Sequence, residues 1–256
     1  DLEQEFGKQL FIRGKRKLTL TDDGLFLRKR AEEIVSLAHR TAQEMKSPCD
    51  SLSGDIYIGA GESVSIRNLF RVAQQIQSAF PEVHFHLTSG DSADLVDRLD
   101  KGLFDFCVLY GEIDQSKYEY MNLPYQETWG LLMQKSFPLA AKQQIEIKDL
   151  WDIPLIMSRQ IISSPGFFKW LGKKPEELNI TNTYNLAYNG ALMVEEGMGC
   201  LVTLDGLVNT LGTDLCFQRI EPERSLSLSV VWKKYQTLSR AAEKFITELE
   251  QAVSSI

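Results

Sequence analysis

The feature that most limits the possible folds is the stretch from Phe6 to Lys46, where a basic segment precedes a long helical pattern. From Lys8 to Leu20 there are five Lys or Arg and no acidic residue. Apolar residues stand on both sides of Arg13-Gly14-Lys15, which predicts a β-hairpin with its charge at the tip. A turn that is merely solvated is the alternative interpretation of this basic run.

The hairpin is followed by a predicted helix over residues 21–46. Thr21 is a suitable N-cap, and Asp22 and Asp23 lie in the first turn, where carboxylates favour the positive end of the helix dipole. About 25 residues would form a rod of roughly 37 Å. Its narrow apolar stripe has a period near ~3.5 residues, which favours packing against a second helix, although folding back onto its own domain is an alternative. The stripe, and so the predicted dimer contact, consists of Leu27, Ala31, Ile34, Ala38, Ala42 and Met45.

The charge is unevenly distributed between this stretch and the remainder of the chain. Residues 1–46 carry ten Lys or Arg and eight Asp or Glu, so residues 47–256 carry a net charge of −9 within the total of −7. An acidic body repels nucleic acid, and any contact with phosphates is therefore expected at the basic hairpin alone.

Residues 47–54 are rich in Ser, Pro and Gly and predict a linker, after which strands and helices alternate twice. Short connections between such elements imply parallel strands covered by helices, and so an α/β fold with two similar lobes. The first set comprises strands 56–60, 83–88 and 104–110 with helices 66–80 and 92–101; the second comprises strands 154–157, 180–184 and 199–203, a loop at 158–164, and helices 166–171 and 186–196.

Extended segments at 118–126, 128–134 and 226–232, with a helix at 239–253, can carry the chain between the lobes. Two crossings make a hinge. We assign the first lobe to residues 51–126 and 235–256, and the second to residues 127–234.

Ligands of open α/β sheets bind beyond the carboxyl ends of the strands, so the cleft between two such edges is the predicted binding site. Helix N-termini and Arg159 favour a carboxylate there. Glu62 would repel a dianion or receive an ammonium group, which admits an amino acid. A turn or capping role is the alternative for each residue. The predicted lining is Gly61, Glu62, Ser63, Ser89, Gly90, Tyr110, Gly111, Ser158, Arg159, Gln160, Asn185 and Thr203.

The sequence resembles the LysR-type transcriptional regulators over nearly its whole length. The N-terminal pattern is that of a winged helix-turn-helix, from the recognition-helix tail through the wing to the linker helix: Leu2, Gly7, Leu10, Phe11, Arg13, Leu18, Thr19, Thr21 and Gly24. Further matches are residues 52–59, 102–106, 137–140 and 194–199. Phe104 replaces the usual Leu, and Leu204 stands where proline is common, which weakens the assignment of Thr203 to the site.

This resemblance implies an effector-binding domain of periplasmic-binding-protein-like fold, dimerised through the linker helix and often tetrameric. It makes residues 1–20 the end of the winged helix-turn-helix, so we expect the chain to be a fragment without the base-reading helices. The implied partners are a small-molecule effector, promoter DNA and, as a further candidate, RNA polymerase. The residues expected to contact the DNA backbone are Arg13, Lys15, Arg16 and Lys17.

Other function classes find less support in the sequence. His84 and His86 share a strand face, but no third ligand stands at a familiar spacing, so we expect no metal and no cofactor. No nucleophile-elbow, P-loop or dinucleotide-binding motif occurs, so catalysis is not indicated. Cys107 and Cys200 lie in apolar runs, as core residues do. No apolar run is long enough to span a membrane, and the cytosol is the expected compartment.

The alternative function is that of a periplasmic-type solute-binding protein, which would share the two-lobed cleft and bind a small carboxylate or amino acid. The basic hairpin and the long helix favour the regulator.

Overall fold

The computed structural model describes residues 1–14, 17–46 and 51–255 of the chain. The N-terminal part consists of helix α1 (Leu2–Phe6) and strands β1 (Phe11–Arg13) and β2 (Leu18–Leu20). The two strands pair antiparallel, which confirms the predicted hairpin. The Glu3 carboxylate accepts the Leu10 and Phe11 amides at 2.7 and 3.0 Å and so ties α1 to β1.

Helix α2 (Asp22–Lys46) begins where its capping residue predicts. The Gly24 amide donates to the Thr21 hydroxyl oxygen at 3.0 Å, which is an N-cap hydrogen bond. A β-carbon at Gly24 would collide with the Leu10 carbonyl oxygen, so glycine permits the helix to start against the hairpin.

One side of α2 lies against the first lobe of the same chain through charged groups. Arg40 pairs with the buried carboxylate of Asp105. Lys101 Nζ donates to Glu33 Oε1 at 3.0 Å, and this hydrogen bond lowers the pKa of Glu33. The pKa of Lys101 is raised by its hydrogen bonds to Asp97 and then to Glu33. The polar side of the helix therefore packs onto its own domain.

The predicted apolar stripe of α2 does not take part in that contact. Leu27 is half-buried, and Ala31, Ile34, Ala38, Ala42 and Met45 are exposed, with Ile34 at 67% of its full accessible area. Folding back of the helix thus leaves the stripe open.

The remaining elements form the α/β body of the protein, and they fall within one or two residues of most predicted spans. In chain order they are β3 (Gly54–Ala60), α3 (Arg67–Ala79), β4 (Val83–Ser89), α4 (Ser92–Asp100), β5 (Phe106–Tyr110), β6 (Tyr118–Gln134), β7 (Ile145–Glu146), β8 (Leu155–Ser158), α5 (Arg159–Ile162), α6 (Pro165–Leu171), β9 (Ile180–Tyr184), α7 (Ala187–Glu195), β10 (Cys200–Leu204), β11 (Leu215–Glu221), β12 (Ser225–Lys233) and α8 (Arg240–Ser254).

The strands form two sheet regions that share β6. The first runs β4-β3-β5-β12-β6 and the second β6-β10-β8-β9, with β11 also paired to β6 and β7 to β11. Strands β3, β4 and β5 are parallel, as are β8, β9 and β10, whereas β12 and β6 run antiparallel to their neighbours. The fold is therefore the predicted two-lobed α/β arrangement.

Four details differ from the sequence-based expectations. The segments at 118–126 and 128–134 are one continuous strand, β6, and the predicted loop at 158–164 contains the short helix α5. Strands β7 and β11 were not predicted. Strand β12 pairs with β5, so it belongs to the first lobe rather than to the predicted second lobe of 127–234.

Hydrophobic cores lie on the covered faces of both sheet regions. Cys107 and Cys200 are fully buried, as expected, and burial raises the pKa of both thiols to about 12. Cys49 lies outside the described residues. Among the described helices, none combines the length and apolar character that crossing a membrane requires.

Candidate effector-binding cleft

A cavity of about 230 Å³ lies between the two lobes, at the carboxyl ends of their parallel strands. Its position follows from topology, because β3, β5, β8 and β10 all end at this edge and their following loops face one another. The cleft is thus in the predicted place.

Nine of the twelve residues predicted to line the cleft do so. They come from both lobes and are Gly61, Glu62, Gly90, Tyr110, Gly111, Ser158, Gln160, Asn185 and Thr203. Leu204, which departs from the family pattern, also lines the cavity and does not displace Thr203 from it.

Three predicted residues lie elsewhere. The Ser63 hydroxyl donates to the buried Glu127 carboxylate, and Ser89 is exposed at the end of β4. The Arg159 side chain is 62% exposed, and its nearest acidic atom, Asp91 Oδ2, is 3.9 Å from Nη2. The cation predicted from the sequence is therefore mostly exposed and lies near Asp91, a residue of the cavity lining.

The sequence reasoning missed a second group of lining residues, most of them apolar or aromatic. They are Asp91, Trp129, Ile161, Ser164, Phe167, Tyr184, Ala187, Leu207, Arg224 and Leu226. Three of them, Trp129, Arg224 and Leu226, lie where β6 and β12 cross between the lobes. The crossing segments were recognisable as a hinge, and a hinge necessarily borders the cleft it spans.

Arg224 supplies the cationic side chain of the lining. Its Nη1 donates to the Gly166 carbonyl oxygen at 2.5 Å, which is a neutral partner. The acidic side chains of the lining are Glu62 and Asp91. The cavity can therefore receive an anionic group near Arg224 and a cationic group near the two carboxylates.

The indole N–H of Trp129, another residue of the wall, lacks a partner in the described part of the chain. Trp129 is 8% exposed, and its indole Nε1 finds no hydrogen-bond acceptor among the residues that the structure describes. Its ring packs edge-on against Phe167 with the centroids 5.2 Å apart. A buried donor without an acceptor costs free energy, so this N–H is suited to an acceptor on a ligand.

The first-lobe wall is held from behind by Glu127, a residue of β6 at the crossing point. Its carboxylate accepts from Ser63 and from the Ser65 amide at 2.9 Å. The Tyr110 hydroxyl shares its one proton between this carboxylate, at 3.3 Å, and the Glu62 carbonyl oxygen, at 3.0 Å. Burial, and then the Glu127 charge, raise the pKa of Tyr110, which stays a neutral donor. This network fixes the loop that follows β3.

The second-lobe wall contains Tyr184, whose hydroxyl donates to the Val202 carbonyl oxygen at 2.9 Å. Burial raises the pKa of Tyr184 to about 12. Tyr184 therefore contributes its ring, and not an ionisable oxygen, to the wall of the cleft.

Three contacts cross the cleft and join the lobes. The Ala187 amide at the start of α7 donates to the Glu62 carboxylate, and Gln160 Nε2 donates to Ser92 Oγ at 2.6 Å. The Arg159–Asp91 pair is the third. The lobes thus meet through polar side chains that a ligand or a hinge motion can rearrange.

At the alternative metal site, His86 has one acidic neighbour. His86 Nε2 lies 3.0 Å from Asp55 Oδ1, and its ring stacks on Tyr57. Within residues 1–14, 17–46 and 51–255, no group of three or more metal-ligating side chains lies together.

Known proteins resemble this chain in sequence and in fold. Residues 50–254 match the family described as "LysR substrate binding domain". The HTH-type transcriptional activator IlvY of Salmonella typhimurium is 26% identical over 167 residues, which cover 62% of this chain and 54% of that protein. The chain spans about half the length of the curated relatives it matches first.

Two solved structures show the same fold at low identity. CbnR, a LysR family transcriptional regulator, has a TM-score of 0.75 at 18% identity and covers 98% of this chain and 86% of its own. The effector binding domain of QuiR in complex with shikimate has a TM-score of 0.68 at 15% identity, covering 80% of this chain and 99% of its own. Since the family match extends over well more than half of the residues, the chain belongs to the LysR substrate-binding-domain family.

Proposed function

We propose that this chain is the sensing part of a DNA-binding transcriptional regulator, and that its interlobe cleft binds a small carboxylate or amino acid. The observation that carries this proposal is the buried, unpartnered indole N–H of Trp129 in the wall of the cleft. A donor kept dry and unpaired between two lobes favours ligand binding over a purely structural role.

The charges of the cleft support this ligand class. Arg224 can pair with a carboxylate, and Glu62 and Asp91 can receive an ammonium group. Apolar side chains make up much of the remaining wall, as in sites for small organic molecules. The QuiR effector domain, of the same fold, binds shikimate, a carboxylic acid.

The N-terminal elements support the regulatory role. Arg13 and Lys17 are exposed on the hairpin, where they would contact the phosphates of promoter DNA, and Lys15 and Arg16 lie outside the described residues. We propose a cytosolic homodimer or homotetramer in which the ligand changes the placement of the DNA-binding heads, with RNA polymerase as a further partner. The role is regulatory rather than catalytic, as in the named relatives.

The ligand proposal is tested by differential scanning fluorimetry against a panel of monocarboxylates, hydroxy acids and amino acids. A ligand that binds only the folded protein raises Tm by mass action. We expect Trp129→Phe to weaken the best compound about tenfold, because one hydrogen bond is lost while the ring stays.

Trp151→Phe is the matched control. It also removes an indole N–H, which donates to the Leu171 carbonyl oxygen away from the cleft, and should leave ligand affinity unchanged. Absence of any Tm shift across the panel would refute the proposed ligand class. Equal affinities for Trp129→Phe and the unmutated protein would remove Trp129 from the site.

The dimer proposal predicts a change of mass on Ile34→Glu. Ile34 lies at the middle of the exposed stripe, and a carboxylate buried between two helices would have no partner. We expect the species of about twice the chain mass to become monomeric in size-exclusion chromatography with light scattering. Leu211→Glu, at an 86% exposed loop residue, should keep the mass unchanged. A monomer before mutation would contradict the role of the stripe.

A further inference from the structure

The Glu62 side chain crosses the cleft and ends at the start of helix α7. Its carboxylate accepts the backbone amide of Ala187, the first residue of that helix. The first amides of a helix have no partner within it, and the dipole makes this end positive, so it is a natural anion site. Leu186, at the N-cap position, provides no side-chain cap. Glu62 of the first lobe therefore supplies the anion that the N-terminus of α7, in the second lobe, lacks.

Glu62 is held in this position from its own side. The Tyr110 hydroxyl donates to the Glu62 carbonyl oxygen at 3.0 Å, and the next residue, Ser63, donates to Glu127. Glu127 is 5% exposed and lies on the hinge strand β6. Buried hydrogen bonds thus fix the backbone of the loop that carries Glu62, at the position from which its carboxylate reaches α7.

We propose that Glu62 is a built-in anion that fills the α7 end of the cleft and so makes the site selective for ligands with one anionic group over ligands with two. The proposal rests on the ligand binding proposed above and adds the residue that limits the ligand's charge. A second carboxylate on the ligand would have to displace Glu62 from Ala187, or lie beside it and beside Asp91, where like charges repel.

Two donors of the wall are suited to a single anionic group. The Trp129 indole N–H is unpartnered, and Arg224 has the Gly166 carbonyl oxygen as a neutral partner. These two residues are neighbours across the strand pair, since the Trp129 amide lies 3.5 Å from the Arg224 carbonyl oxygen. One ligand carboxylate bound at Trp129 and Arg224 would leave the contact between Glu62 and Ala187 in place.

Sulfate tests this assignment without knowledge of the natural ligand, because a free helix N-terminus binds it. We expect Glu62→Ala to bind sulfate about tenfold more tightly than the unmutated protein at constant ionic strength, measured by calorimetric titration. The Ala187 amide resonance should move with sulfate in the variant alone, which separates binding at α7 from binding elsewhere. Succinate, with two carboxylates, should gain affinity in the same way.

Two further variants complete the test. Glu62→Gln keeps an oxygen acceptor for Ala187 but loses the charge, so its gain for sulfate should lie between those of the unmutated protein and Glu62→Ala. Glu82→Ala removes an exposed carboxylate at the opposite end of the sheet and should change nothing. Equal sulfate affinity in the unmutated protein and in both Glu62 variants would overturn the proposal.

The outcomes also separate this inference from the proposed ligand class. A gain for sulfate in Glu62→Ala, with no Tm shift by any panel compound, would support the role of Glu62 and refute the ligand class. A carboxylate that stabilises the unmutated protein, with no sulfate gain in the variants, would refute the role of Glu62 alone.

Discussion

Replacement of Phe245 by alanine should lower the free energy of unfolding by about 4 kcal/mol. Phe245 lies on α8 and is fully buried against the first sheet, with its ring centroid 5.3 Å from that of Phe85 and 5.5 Å from that of Phe106. Removal of the ring takes away this contact area and leaves a cavity that a sheet cannot close. Urea denaturation followed by tryptophan fluorescence measures the change.

The control for this variant is Phe70→Ala on α3, because Phe70 is 41% exposed. It deletes the same ring at a position where water already reaches it, so the cost should stay below about 1 kcal/mol. Similar losses in both variants would mean that α8 does not pack on the first lobe. The result matters for function, because α8 packs on the first lobe, which also contacts α2.

Replacement of Asp105 by alanine should cost about 3 to 5 kcal/mol, since it removes one partner of a buried ion pair. Asp105 is 0% exposed, pairs with Arg40 of α2 and accepts the Tyr57 amide at 2.8 Å. The Arg40 guanidinium also lies over the Tyr57 ring, 5.1 Å from its centroid. Loss of the carboxylate leaves the largely buried Arg40 guanidinium and the Tyr57 amide without the acceptor that Asp105 provides.

The matched control is Asp205→Ala in the exposed Arg219–Asp205 pair, whose Nη2–Oδ2 distance is 3.0 Å. Exposed pairs contribute at most about 1 kcal/mol, so the two aspartates should differ several-fold in cost. Asp105→Asn keeps the shape and should retain part of the Tyr57 hydrogen bond, giving an intermediate loss. Equal costs at Asp105 and Asp205 would contradict the buried pair.

The Asp105 variant also reports on the contact between sensor and linker helix. Hydrogen exchange of α2 amides near Arg40 should accelerate in Asp105→Ala, because the helix loses one of its polar contacts with the first lobe. Glu33 and Lys101 would still join the two elements. The Arg40–Asp105 pair would therefore transmit a movement of the first lobe to α2, the helix that is proposed to dimerise.

The elements with strong periodicity were predictable from the sequence. The α2 stripe repeats every three or four residues, Thr21 marks its start, and the strand–helix alternation from Gly54 onward shows both halves of the sheet. Strand β11 was missed because its pattern is mixed and its partner β6 lies some 80 residues away. The assignment of β12 to the first lobe depends likewise on non-local pairing with β5.

The residues that line the cleft were likewise only partly predictable from the sequence. Residues at the carboxyl ends of parallel strands, such as Glu62 and Asn185, could be placed there because sheet topology fixes that edge. For Trp129 and Arg224 the sequence indicated only that crossing segments border the cleft, and not which of their residues face it, because that depends on how the lobes are joined. Arg159 is not among the lining residues, and its largely exposed side chain lies 3.9 Å from Asp91, which does line the cavity.

The order of local elements was thus determined by the sequence alone, since hydrophobic period, caps and turns act over a few neighbouring residues. Only the tertiary structure decided that Glu62 reaches Ala187 and that Arg40 reaches Asp105. Each of these contacts joins residues more than 60 positions apart. Their meeting depends on how sheets pair and lobes close, which no local pattern records.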